Sequence, residues 1–325
     1  MNDTTISIVV PTYNRAEWLA EALQTLIQLE TNSDFSCEIV VVDNASTDAT
    51  EETVARVAEG AAVPVKYVYE EQPGDAPARN RGIQEAQGEW LAFFDDDQFA
   101  EPDWVAKLHE TAMHTGSPII GGPVHLDLSE EQLEELSPIC RETLRELRLY
   151  DEIHPYAEKE APGGGNALVA RAVFESVGLF DVSMTNGGSD SDFFERARAA
   201  GHKMIYSPHA VIRHRVPEQR LSVEYFKWDA LQGHDNIACI DHKSKSRLAL
   251  LAICVGRLGQ ALLVNLPLCL WARVRGNARD VLSRQIRLWR AEAYIRRTLS
   301  LLAPRLFPQT AFIESLNFRE GVEKK

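Results

Sequence analysis

A chain of 325 residues with ordinary apolar and charged fractions can bury one sizeable α/β core and an appendage. Its net charge is −14, and no nucleic-acid partner is expected. The five cysteines lie far apart without CxxC or Cys/His ligand spacing, so zinc is not expected and a reducing compartment suits them. The charge is unevenly placed. Residues 1–240 hold 18 Lys/Arg against 42 Asp/Glu, whereas residues 241–310 hold 13 against 3, a balance of +10. That basic segment is expected to have an anionic partner.

The first strand, Ile6–Val10, starts almost at once, so no signal peptide is expected. Pro11–Arg15 follows as a loop, and Ala16–Leu29 has helical periodicity. Glu38–Val42 reads as a second strand. It ends on the polar turn Asp43–Asp48, whose Asp48 is placed to cap a helix reaching Ala58. Val65–Tyr69 is a third strand, Pro73–Pro77 a loop, Ala78–Ala86 a helix and Trp90–Phe94 a fourth strand. This alternation implies an α/β fold with a mainly parallel central sheet. Ligands of such sheets bind beyond the carboxyl ends of the strands, where Pro11–Arg15, Asp43–Asp48 and Asp95–Asp97 all fall. Further on, Pro102–Met113 reads as a helix, Pro118–Gly121 as a strand and Ser129–Tyr150 as one charged helix. Ala161–Asn166 and Asn186–Asp190 read as glycine-containing loops, Ala170–Val177 and Asp192–Ala200 as helices, and Ala210–Ile212 as a short strand. Residues 221–300 read as helical, with breaks near Pro267 and Gly276.

Three consecutive carboxylates, Asp95-Asp96-Asp97, close the fourth strand and repel one another unless a cation sits among them. Mn2+ or Mg2+ carrying a phosphate ester is the expected partner, since such ions take one or two carboxylates plus substrate phosphates. Asp43 can accept hydrogen bonds from a base or ribose, or can be plain turn chemistry. Arg79 opens a helix and can face a phosphate or pair with an acidic neighbour. Asp190 and Asp192 can supply a general base or a helix cap. His214, between Arg213 and Arg215, can be a metal ligand, a phosphate contact or a structural histidine.

Taken in order, Ile8–Arg15, Val42–Asp48, Ala78–Gly82, Phe93–Asp97 and Gly163–Asn166 resemble the motifs of the family 2 glycosyltransferases. The likeness covers roughly residues 5–215. It implies the GT-A fold, Rossmann-like, followed by a C-terminal helical segment. It also implies inverting transfer of a sugar from a nucleotide-diphosphate sugar, UDP- or dTDP-linked, to a glycan or lipid-linked acceptor. By that resemblance Pro11, Tyr13, Arg15 and Asp43 surround the nucleoside, and Arg79, Asp95 and Asp96 also contact the donor. Asp95, Asp97 and His214 are the expected metal ligands. Gly164, Gly165, Asn166 and Asp192 line the sugar and acceptor pocket. Where the family often has Glu-Asp this chain has Ser189-Asp190, which makes Asp190 the expected base and Asp192 its rival. Residues 1–220 would form the catalytic domain, with a donor half (1–123) and an acceptor half (124–220). Residues 221–325 would form a helical, basic region. The apolar stretch Arg247–Arg275, flanked by Lys and Arg, fits an interfacial helix on an anionic membrane surface better than a spanning one, the alternative being a helical subdomain packed on the catalytic core or on another subunit. The expected location is cytoplasmic, with a peripheral seat on the cytoplasmic face of the inner membrane.

Overall fold

The computed structural model describes residues 4–31, 35–184 and 188–308. They divide into two compact units, residues 1–127 with 146–215, and residues 128–145 with 216–325. The first unit begins with β1 (Thr4–Thr12), α1 (Ala16–Leu26), β2 (Phe35–Asp43), α2 (Thr50–Glu59), β3 (Val65–Tyr69), α3 (Asp75–Glu85) and β4 (Trp90–Phe93). It continues with β5 (Gln98–Ala100), α4 (Trp104–Thr115), β6 (Ile119–Gly121) and β7 (Val124–Asp127). In the second unit α5 (Glu130–Glu135) and α6 (Pro138–Thr143) follow. The chain then returns to the first unit with β8 (His154–Pro155), β9 (Ala167–Ala170), α7 (Arg171–Val177), α8 (Ser189–Ala199), β10 (Met204–Tyr206) and β11 (Ile212–Arg215).

The main sheet has the order β3-β2-β1-β4-β9-β6-β10-β8. Its first four strands are parallel, with Val9 opposite both Val40 and Phe93. Helices cover both faces, so the middles of these strands are apolar runs such as Ile8–Val10 and Ile39–Val42. Ile8, Val10, Ile39 and Val41 face one layer of the core, and Val9, Val40 and Val42 the other. Pro11 lies within β1, two residues beyond Val9, the last residue paired with β4. The Phe94 N–H bonds Val9 O, and Pro11 would point its missing donor toward the same side, where β4 has ended.

Several elements depart from the sequence reading. β9 inserts antiparallel between β4 and β6. Its four residues carry too little periodicity to be read alone; pairing on both edges makes them a strand. β11 runs to Arg215 and pairs with both β5 and β7 in a second, three-stranded sheet. The expected helix Ser129–Tyr150 is two short helices. Ser129 forms a capping box with Gln132, and Ser137 caps a new helix that has Pro138 in its first turn. Asp48 does not cap α2. Its carboxylate accepts the Ala16 N–H at the start of α1 and the Thr50 hydroxyl.

The second unit also contains α9 (Val223–Ser244), α10 (Arg247–Gln260), a π-helical turn at Ala261–Asn265, α11 (Leu266–Val274) and α12 (Ala278–Leu302). The helix does not break at Pro267. The wide turn before it, with the Leu266 N–H reaching Ala261 O, gives the proline ring room. Gly276, at φ 67°, does end α11. Segment 128–145 joins this unit rather than the expected acceptor half: Arg145 pairs with Asp229 at 2.7 Å, and Arg290 with Glu142 at 3.0 Å.

His234 on α9 is pushed down to about 4, by burial first and then by Arg290 and Arg257. It stays neutral in the fold, whereas the unfolded chain takes up the proton below its ordinary value of 6.5. Its stabilising contribution is therefore complete above that value and lost as pH falls toward about 4. Thermal unfolding should occur at lower temperature in mildly acidic than in neutral buffer, and His234→Gln should flatten that dependence. An unaltered profile in the variant would remove His234 as the cause.

Candidate active site

Three loops meet above the carboxyl ends of β1, β2 and β3 and are tied to one another by side chains. Asn14, at φ 51°, accepts the Thr47 N–H through its side-chain oxygen at 2.7 Å, and its own N–H reaches Ser46 Oγ at 2.9 Å. Asn44 accepts the Gly74 N–H at 2.7 Å and donates to Glu70 O and Gln72 O. Asp43 is buried; it accepts the Ser46 N–H at 2.8 Å and the Tyr67 hydroxyl at 2.8 Å. Tyr13 and Tyr69, 49% and 54% exposed, leave two aromatic surfaces open at the ends of β1 and β3. Pro11 lies in β1, two residues before Tyr13.

The three consecutive carboxylates have three different environments. Asp96 is the internal one. It accepts the Thr12 hydroxyl and an Arg15 N–H, each at 2.8 Å. Burial opposes the charge on Arg15, but Asp96 and then Asp97 overcome it and hold the guanidinium above its ordinary value. Arg15 also lies over the Trp18 ring at 5.0 Å. Asp97 Oδ2 lies 3.5 Å from both Arg15 Nη1 and His214 Nε2. β11 creates that last contact: its pairing sets His214 opposite Gln98, and the Arg215 N–H bonds Asp97 O at 2.8 Å. Asp95 turns the other way, to Arg79 at 2.9 Å and Gln98 at 3.4 Å. Its side chain is one-third exposed. Burial pushes its carboxyl up to about 7; Arg79 opposes this, while Asp97, Asp75 and Asp96 add to it. Among the described residues no three His, Cys, Asp or Glu side chains converge as a ready-made metal cage. Of the expected trio, Asp97 and His214 lie 3.5 Å apart, while Asp95 is engaged by Arg79.

The second half of the site closes around Arg79, which is buried. Its three nitrogens donate to Asp75 Oδ1 at 2.8 Å, Gly164 O at 2.5 Å and Asp95 Oδ1 at 2.9 Å. Burial works against its charge, and Asp75, Asp95 and Asp190 overcome it to hold it above the ordinary value. A Cβ on Gly164 would meet Arg79 Nη1 at 2.8 Å and Asp190 Oδ2 at 2.9 Å. On Gly165 it would meet Asp95 Oδ2 at 2.3 Å and Gln98 Nε2 at 2.5 Å. The two glycines are thus the surface against which Arg79, Asp95 and Asp190 gather.

Asp190 and Asp192 both lie in the first turn of α8, which begins at Ser189, earlier than the sequence pattern places it. Asn186 and Gly187 of the expected loop lie outside the described residues. Asp190 Oδ1 accepts the neighbouring Ser191 N–H. Asp192 Oδ2 is bound by Arg196 at 2.8 Å, and Arg196 is anchored to Val177 O and Leu179 O. Asn166 does not line the pocket. It is fully buried and donates to Pro123 O and Ala210 O while accepting from Trp104 Nε1. Asn80 is likewise structural, exchanging both its amide bonds with the Phe180 backbone. Sequence reasoning missed Thr12, Gln98 and Asp75. Only Asp75 carried a signal, its i,i+4 spacing to Arg79 on a helix.

The family model described as Glycosyl transferase family 2 matches residues 7–177. The succinoglycan biosynthesis protein ExoM of Rhizobium meliloti (strain 1021) is 30% identical over 68% of this chain and 70% of its own length. Glycosyltransferase AglE of Haloferax volcanii is 29% identical over 64% of this chain and 65% of its own. Among solved structures, the mannosyltransferase PcManGT from Pyrobaculum calidifontis, in complex with GDP-Man and Mn2+, is similar with a TM-score of 0.61. It is 20% identical and covers 91% of this chain and 88% of that one. S. aureus TarS 1-349 in complex with UDP gives 0.53 at 18% identity, covering 92% of each chain. Those likenesses establish the GT-A fold, and the family match covers β1 to α7, with the loops after β1, β2 and β4 and the Gly164–Gly165 pair; the chain belongs to the family 2 glycosyltransferases.

Proposed function

We propose that this glycosyltransferase is inverting and metal-dependent, and that it moves a sugar from a UDP- or dTDP-sugar to an acceptor hydroxyl in glycan synthesis. The observation that carries the reading is the gathering of Asp190, Arg79 and Asp95 against the Gly164–Gly165 backbone at the carboxyl ends of the strands. Asp190 Oδ2 takes the acceptor's proton as its oxygen attacks the anomeric carbon. Arg79 faces the departing diphosphate, and one displacement inverts that carbon. Tyr13 and Tyr69 offer flat faces to the base, and Asp43 and Asp95 offer acceptors to the ribose. Asp97 and His214 Nε2 are oxygen and nitrogen donors that suit Mn2+ or Mg2+, and they leave the remaining positions to the donor's phosphates. Asp97 is buried beside Asp96, and a cation there would offset the crowding of the two carboxylates. When bound, the ion supplies Lewis-acid stabilisation of the diphosphate. In this reading residues 1–123 form the donor half of the catalytic domain, and residues 124–220 without 128–145 the acceptor half.

A panel of nucleotide-sugars tested for thermal stabilisation with and without MnCl2 identifies the donor, because a bound ligand raises apparent stability. NMR of the product then reads the anomeric configuration. Retention of configuration, or donor stabilisation indifferent to metal, would count against the proposal. Gly165→Ala tests the geometry. The new methyl must displace Asp95 or Gln98, and transfer should fall about a hundredfold with the fold intact by circular dichroism. Wild-type turnover in that variant would mean that the loop has freedom to shift.

The acceptor in this reading is a lipid-linked glycan, and the second unit seats the enzyme on the cytoplasmic face of an anionic inner membrane. Among the described residues one helical run, Arg247–Val274, is long and apolar enough to cross a membrane, with a mean hydropathy of 1.7. It buries only a narrow stripe, Leu250, Cys254, Ala261, Asn265, Cys269 and Ala272. Leu248, Leu263 and Val274 are 80%, 79% and 87% exposed. Arg257, the charge in the middle of the run, is turned inward over the Tyr294 ring at 4.1 Å, and Arg273 lies in its last turn. α12 packs alongside and carries Arg284, Arg287, Arg290, Arg296 and Arg297, which a hydrocarbon core would not accept. An in-plane seat keeps those arginines at the headgroups and the leucines in the apolar layer.

A further inference from the structure

We propose that the helical unit holds one hydrocarbon chain of a phosphate-headed membrane lipid in a groove between α10 and α12, with Arg296 on the phosphate. This deepens the membrane reading above and rests on it for the source of the lipid. The groove has a volume of about 580 Å³ and is walled by Leu258, Ala261, Ala291, Ile295, Leu299 and Phe307. That size and apolar lining are those of a small-molecule site, and water in it would find few partners.

The wall also carries the Arg296 guanidinium. Among the described residues Arg296 makes no hydrogen bond or ion pair. Asp235 lies within its electrostatic reach, but that carboxylate is paired with Arg297 at 3.4 Å. Glu292, one turn earlier and exposed, shares the wall. A guanidinium set beside apolar surface is best satisfied by an anion that it can bind with two parallel hydrogen bonds, as phosphate allows. Leu258 and Ala261 belong to the same helical run whose outer side exposes Leu262 and Leu263. Groove and exposed apolar surface are therefore continuous, and a lipid tail can enter one from a bilayer covering the other. The surrounding segment's balance of +10 favours an anionic headgroup.

The test titrates the full-length chain with dihexanoylphosphatidylglycerol kept monomeric, followed by calorimetry, beside inorganic phosphate and glycerol phosphate as head-only probes. The expected result is one lipid per chain, roughly tenfold weaker binding in Arg296→Gln, and none in Ala291→Phe or Ala261→Phe, which fill the groove from opposite walls. Circular dichroism and melting temperature show whether each variant has kept its fold. Binding by both folded groove-filling variants as strong as wild type, or competition by free phosphate equal to that by the lipid, overturns the proposal. So does a full-length chain that takes up no lipid, its groove then being filled by residues 309–325 or by a second copy visible in light scattering. Sedimentation with anionic vesicles keeps the two readings apart. A chain that pellets but binds no monomeric lipid loses the groove alone; one that binds the lipid but ignores vesicles loses the membrane seat alone.

Discussion

Asp190→Asn is expected to slow sugar transfer about a thousandfold while leaving donor affinity nearly unchanged. The asparagine keeps the shape and can still accept the Ser191 N–H, but it cannot take a proton from an acceptor hydroxyl. Nor does it touch the loops at β1 and β2 that present Tyr13 and Asp43. Asp192→Asn should cost far less, because its carboxylate is held by Arg196 as a brace of the α8 start. The pair separates the two candidates that spacing alone leaves open. Single-turnover rates and calorimetric donor affinities for both variants are the measurement. Equal loss of rate and affinity in Asp190→Asn would take it out of the base role, and a larger defect in Asp192→Asn would exchange the assignments.

Asp97→Ala is expected to act on binding before chemistry. It removes the carboxylate facing His214 Nε2 and leaves Asp96 engaged with Thr12 and Arg15. Donor affinity in the presence of Mn2+ should fall about a hundredfold, and the difference between metal and chelator should disappear. His214→Ala should show a weaker version of the same signature, since it leaves the carboxylate in place. Asp96→Ala should behave differently, lowering melting temperature, because it strips Arg15 and Thr12 of a buried partner. Metal dependence that survives in Asp97→Ala would dismiss the Asp97–His214 pair as the cation's seat.

The order of loops and strands is legible in the chain alone, because apolar runs such as Ile39–Val42 alternate with helical periodicity and end on polar, turn-forming residues. Asp97 and His214 are separated by more than a hundred positions, so no spacing rule joins them. They meet because β11 pairs with β5 in a sheet whose strands are too short to announce themselves. Gly164 and Gly165 are visible as residues, but the reason for them is not. Only once Arg79, Asp95 and Asp190 press on them does a side chain there become impossible without displacement. Asn166 shows the opposite error: a polar residue beside a glycine pair reads as a ligand contact, yet it is spent on the backbone of two neighbouring segments and on Trp104.

The amino-acid sequence by itself determined the family, the parallel half of the sheet and the acidic mouth, since periodicity and motif order are local properties of the chain. Tertiary structure alone decided which carboxylate faces the arginine, which faces the histidine and which is buried as a brace. Long-range strand pairing, not local preference, sets the distances over which charges act.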